Sequence, residues 1–134
     1  MKRLLILSSF ALLSGCSVIQ FFTPQAPFDN AEYSELNRMY TYSDYYKADC
    51  SDNAKSKSNF ANLSLMSNTL LNYSQDLPNN EASIRAVTEL DKLVQTANKQ
   101  MQEGTHSVKF CELKLDNIKH GSGTVKAAIA KRRR

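Results

Sequence analysis

The sequence predicts an all-α protein: a small bundle of three to four helices closed by a disulfide, with a flexible N-terminal tether and a basic C-terminal tail. Three observations carry that expectation. Apolar residues recur at helical spacing in several long segments, the signature of one-sided helices packed on a shared core. Gly 4 and Pro 3 in 134 residues leave few breaks, the clearest being Asp76-Leu77-Pro78-Asn79-Asn80. No segment makes a convincing strand with a partner to pair with. A chain of this length supports one core and a tail, not two domains.

The elements follow in order. Ser17 to Asn30 is expected to be an extended tether, because Pro24 and Pro27 oppose regular helix. Its apolar Val18, Ile19, Phe21 and Phe22 suit a membrane interface or a partner surface. A first helix is predicted from about Ala31 to Ala48, capped by Asp29 or Asn30, with Glu32 and Glu35 near its positive end. Leu36, Met39, Tyr42, Tyr46 and Cys50 share one face, widened by Tyr33 and Tyr40, while Tyr45 points away. A second helix is predicted from Lys55 to Tyr73 after a turn or cap at Ser51-Asp52-Asn53. Phe60, Leu63, Met66, Leu70, Leu71 and Tyr73 form its apolar face. Its Ser- and Asn-rich remainder is a poor helix former, so packing must sustain it.

A third helix runs from Glu81 to about Gln102, with Asn80 as the expected cap and Gly104 as the stop. Ile84, Val87, Leu90, Val94, Ala97 and Met101 make its stripe. Residues 105–120 fit a helix through Val108, Cys111, Leu115 and Ile118, or less well an extended segment; the helical reading is preferred. Gly121-Ser122-Gly123 is expected to be a flexible joint, with 31–120 as the helical domain and 121–134 as a basic tail.

The first fifteen residues form an address. Met1-Lys2-Arg3 is basic, and Leu4 to Leu13 is mostly apolar but would rise only about 15 Å as a helix, too short to span a bilayer. This pattern is a secretory signal. Leu13-Ser14-Gly15-Cys16 then resembles the lipobox of bacterial lipoproteins. The resemblance implies removal of residues 1–15, transfer of diacylglycerol to the Cys16 thiol, and further acylation, for example by palmitate, of the new amino group. Two or three acyl chains would hold the body on a membrane. Ser17, where aspartate would favour inner-membrane retention, implies the outer membrane, facing the periplasm.

That address changes the reading of the remaining residues. Cys50 and Cys111 are an even pair in an exported chain and are expected to form a disulfide. From Ser17 to Ile118 there are nine Lys or Arg against thirteen Asp or Glu. From Lys119 to Arg134 there are six Lys or Arg and no acid. A mildly acidic body therefore carries a basic end, Lys131, Arg132, Arg133 and Arg134. Outside the cytoplasm this run suits anionic lipid or an acidic protein surface rather than nucleic acid.

Catalytic patterns are missing. His106 and His120 stand apart from any metal-ligand spacing, and there is no nucleophile motif, glycine-rich phosphate loop or EF-hand loop. The expectation is no enzyme activity, no cofactor and no metal. Five tyrosines between 33 and 46 are the densest chemical feature. Most should bury their rings with hydroxyls at the rim. Tyr33, Tyr40, Tyr45 and Tyr46 are the candidates for a partner surface, since tyrosine is enriched in interface hot spots. In size, LSGC and the Cys50–Cys111 arrangement, the chain loosely resembles the pilotin lipoproteins of secretion systems, which carry secretin subunits to the outer membrane. The resemblance includes no residue motif for the groove. It implies an envelope protein partner, localised or assembled by this chain. The alternatives are a protective or inhibitory envelope lipoprotein acting against phage, conjugation or a lytic enzyme, and a carrier of a small apolar ligand.

Overall fold

The computed structural model describes residues 26–133, and these form four helices with no strand. The signal (1–15), Cys16 and the tether up to Gln25 lie outside the described residues, as does Arg134. Helix α1 is Asn30–Tyr45, followed by one 3₁₀ turn, Tyr46–Asp49. Helix α2 is Asn53–Asp76, α3 is Glu81–Gln102 and α4 is Val108–Ala130.

Each boundary has a local cause. Asp29 Oδ1 accepts from Glu32 N at 2.7 Å and starts α1. Asp52 accepts from Ala54 N and Lys55 N and starts α2 two residues earlier than expected. Ser107 caps α4 by accepting from Phe110 N, settling residues 108–120 as helix. Gly104, at φ +145°, lies in a region that side chains rarely adopt and follows the end of α3. Asn80 occupies the cap position of α3 without capping it; its amide turns inward instead.

Successive helices are antiparallel neighbours, and α4 returns beside α1 to close the bundle. Hydrogen bonds at Lys57–Gln102 and Ser64–Gln95 align α2 with α3. Contacts at Asn37–Lys126 and Asp44–Lys119 align α1 with α4. With the exception of Asn59, the buried helical positions alternate in steps of four and three: 32, 36, 39 and 43 in α1; 56, 60, 63, 67, 70 and 74 in α2; 83, 87, 90, 94, 97 and 101 in α3; 111, 115, 118, 122, 125 and 129 in α4. This is the heptad spacing of antiparallel bundles, in which each side chain fills a hole on the facing helices.

Several of these core positions are polar. Ser43, Ser56, Ser67, Ser74, Ser83 and Ser122 are buried. Ser43 Oγ donates to Met39 O, and Ser122 Oγ to Ile118 O, so these hydroxyls are satisfied by their own helices. In α2, Ser64 and Ser67 instead bond Gln95 and Asp91 of α3. The polar side of α2 is thus partly an interface with α3, which is part of the packing that sustains this helix.

The bundle is joined covalently by the expected Cys50–Cys111 disulfide, with Cα atoms 5.6 Å apart and a sequence separation of 61. It ties the end of the 3₁₀ turn that follows α1 to the first turn of α4.

Two expectations are corrected. The joint at Gly121-Ser122-Gly123 is helical, and α4 passes through the domain boundary placed at 120 to bury Ser122, Val125 and Ile129. A Cβ at Gly121 would lie 3.1 Å from Leu90 Cδ1, and one at Gly123 would lie 3.2 Å from the Tyr40 ring. The glycines allow close approach to α3 on one side and α1 on the other. The tether, too, is docked from Ala26 onward: Ala26 is buried, its N–H donates to Asn79 O at 3.0 Å, and Phe28 N donates to Arg133 O at 2.9 Å.

Two measurements check this account. Gly123→Leu should lower unfolding free energy by about 1–3 kcal/mol through overpacking against Tyr40. A flexible joint would instead become more helical and no less stable. Replacing both Cys50 and Cys111 with alanine should lower the urea midpoint, with a loss of roughly 2–4 kcal/mol.

Candidate functional site

Two regions hold the sequence-predicted residues: the outer face of α1 and the end of the bundle from which the tether leaves.

On α1, the tyrosines do not form one surface. Tyr33 packs against the core and lies 5.6 Å, ring to ring, from Phe28. Tyr40 lies against Gly123, with Lys126 Nζ 4.2 Å and Lys119 Nζ 5.1 Å from its ring centre, so it is a strut between α1 and α4. Tyr46 is half-buried and stacks on Tyr42 at 5.6 Å. Tyr45 alone among them is open, at 71% exposure, with its ring 6.2 Å from that of Tyr46. Arg38 sits over the Tyr42 ring at 5.9 Å. The rings of Tyr42, Tyr45 and Tyr46 with Arg38 form one contiguous patch whose exposed ring is Tyr45; Tyr33 and Tyr40, half-buried like Tyr42 and Tyr46, lie outside these ring contacts.

Charges line the junction of α1 and α4 beside this patch. Lys47 bridges Asp44 and Asp116, and Lys119 also meets Asp44. The hydrogen bond from Lys119, then that from Lys47, holds the Asp44 carboxyl below its ordinary value. Asp116, despite some desolvation, pushes the Lys47 ammonium up. A lowered carboxyl pKa stabilises the fold above the unfolded value near 3.8, and that contribution fades as pH falls through the depressed value.

At the tethered end lies a feature that the sequence did not announce. Glu32 is fully buried. Its Oε1 accepts from Ser74 Oγ at 2.8 Å, from Asn80 Nδ2 at 3.1 Å and from Ser83 Oγ. Its Oε2 accepts from Arg132 at 3.0 Å, and the Arg132 side chain is only 12% exposed. One carboxylate thus gathers α1, the end of α2, the α2–α3 turn, the start of α3 and the basic run. Next to it, Tyr73 Oη donates to Asp29, and burial followed by the Asp29 bond raises the Tyr73 pKa.

This site does structural chemistry. Every oxygen of Glu32 is engaged by a fixed donor and sealed from solvent, which suits a charge that must be neutralised in place. The basic run is divided by it: Arg132 faces inward, while Lys131 and Arg133 are exposed. A signal for Glu32 did exist. It stands four residues before Leu36 in the buried 32–36–39–43 register, so an acid occupied a core position.

The histidines stay apart. His106 stacks on Phe110 at 4.7 Å, and its backbone N–H donates to Asn53 Oδ1; His120 is exposed. Among the described residues, no three His, Cys, Asp or Glu side chains gather as metal ligands, and no helix is long and apolar enough to cross a membrane. No match was found to a protein-family model, to a curated protein or to a solved structure.

Glu32→Ala should leave Arg132 as a buried charge without its partner and cost about 3–5 kcal/mol in chemical unfolding. In a double-mutant cycle with Arg132→Gln the losses should fall well short of additive. Glu35→Ala, which breaks the exposed pair with Arg38, is the small-effect comparison.

Proposed function

We propose that this chain is a non-catalytic bacterial lipoprotein, held by acylated Cys16 on the periplasmic side of the outer membrane, where it binds and helps localise or assemble an envelope protein. The observation that carries this reading is the basic start, short apolar run and LSGC in sequence at the amino terminus. The Cys50–Cys111 bond supports it, because such a structural disulfide suits an oxidising compartment. A body with a packed core and one exposed ring, Tyr45, beside half-buried tyrosines suits binding, and two-dimensional confinement by the lipid raises its local concentration near a partner. A pilotin-like role in a secretion system is the specific form of this proposal.

The decisive experiment has two parts. Intact-mass analysis of the envelope-purified chain should show a start at Cys16 carrying diacylglycerol. An unprocessed amino terminus refutes the anchor. Deletion should then mislocalise one outer-membrane partner, recoverable by crosslinking to the lipidated protein. Altered phage or lysin sensitivity with normal assembly would favour the inhibitory alternative, and an apolar ligand retained on purification would favour a carrier. Tyr45→Ser should weaken capture of the crosslinked partner at least about tenfold, the scale of an interface hot spot, with helicity and thermal midpoint unchanged.

A further inference from the structure

The lipid-bearing segment and the basic run meet at the same end of the bundle. Ala26 bonds Asn79 of the α2–α3 turn, and Phe28 bonds the backbone of Arg133. Ala26 is ten positions after Cys16, so the anchor lies within roughly 35 Å of that end even at full extension. The cations nearest the exit are Lys131 and Arg133, both exposed, at the carboxyl end of α4. Arg132 between them is held inward by Glu32, while its two neighbours stay exposed.

The charges around this end are not symmetrical. On the α1–α4 side, Glu35 is paired with Arg38, and Asp29, hydrogen-bonded by Glu32 N and Tyr73 Oη but still charged, is outnumbered by Lys126, Lys131 and Arg133. Lys126, just over one turn before Lys131, lies along the same edge against Asn37 and Tyr40. On the α2–α3 side, Asp76 and Glu81 are exposed, with Arg85 nearby. An anionic surface would attract the first edge and repel the second.

We infer that Lys131 and Arg133, with Arg134 adjoining in sequence, bind anionic phospholipid headgroups and stand the bundle on the membrane by its tethered end, tilted toward the α1–α4 edge. The inference rests on the acylation of Cys16 proposed above. The acyl chains supply attachment; the cations supply orientation. With this end down, the opposite end, carrying the disulfide and Tyr45, is raised by the length of α4, about 35 Å for 23 residues. That distance exceeds the Debye length several-fold, so the aromatic patch would face away from the lipid charge.

The chain has no tryptophan, so a single introduced indole reports its own position. Ala130→Trp places one on the exposed tethered end, and Thr105→Trp places one on the exposed far end. Each acylated full chain is reconstituted in phosphatidylcholine vesicles with a nitroxide-headgroup lipid, with or without about 30 mol% phosphatidylglycerol. On anionic vesicles the Ala130→Trp emission should be quenched at least about twofold more than that of Thr105→Trp. About 0.5 M salt should remove the difference. So should Lys131→Gln with Arg133→Gln and Arg134→Gln, which leave the Glu32–Arg132 pair and the unfolding midpoint intact. Equal quenching at both ends, or a difference indifferent to salt and to the three substitutions, overturns the inference and leaves the cations to an acidic protein surface. Flotation separates the two readings. A chain that does not float refutes acylation and this inference together. A chain that floats but shows no end preference overturns the orientation alone.

Discussion

The structure depends on a carboxylate that cannot be buried alone. Moving an ionised side chain out of water costs several kcal/mol unless charge and hydrogen bonds replace the lost solvent. For Glu32 the replacement comes from four side chains on separate parts of the chain: Ser74, Asn80, Ser83 and Arg132. They must all be in place together, which couples the closing of the α2–α3 turn to the docking of the C-terminal run. The disulfide clamps the opposite end of the α1–α4 pair. With both ends fixed, the middle tolerates small, weakly hydrophobic core residues.

Those small residues explain the close packing. Serines at heptad positions in all four helices contribute little apolar area, but they keep the helices near one another, and their hydroxyls find acceptors locally or across the α2–α3 seam. Gly121 and Gly123 do the same for α4, which touches Leu90 on one side and Tyr40 on the other. In α4 these glycines weaken intrinsic helix propensity, and the gain from packing outweighs that loss. The same economy of space consumes most of the tyrosines. Tyr33, Tyr40, Tyr42 and Tyr46 are all half-buried in contacts within the bundle, which leaves Tyr45 as the exposed ring of the group.

Much of the fold was legible in the residues. The stripe of α3, from Val87 to Met101, is apolar throughout, and its boundaries coincide with the expected ones. The pairing of Cys50 with Cys111 was expected from the even pair left once Cys16 is assigned to the lipobox-like run, and the structure contains it. The candidate site was less legible. Glu32 looked like a helix-dipole residue, because an acid near a helix start is ordinary there and only the register 32–36–39–43 marks it as internal. Arg132 was hidden in a run of four cations with no difference of type between the inward one and the exposed ones.

By itself, the sequence determined what depends on local order along the chain: the helical periodicity, the break at 76–80, and the short capping stretches at 29–30 and 51–53 that precede the first two helices. Only the tertiary structure decided which polar residues turn inward. A serine, a glycine or a glutamate carries no intrinsic preference for a core position; it is buried where neighbouring helices supply acceptors, room or countercharge. That supply comes from residues as many as a hundred positions away, as with Glu32 and Arg132, and no local pattern encodes it.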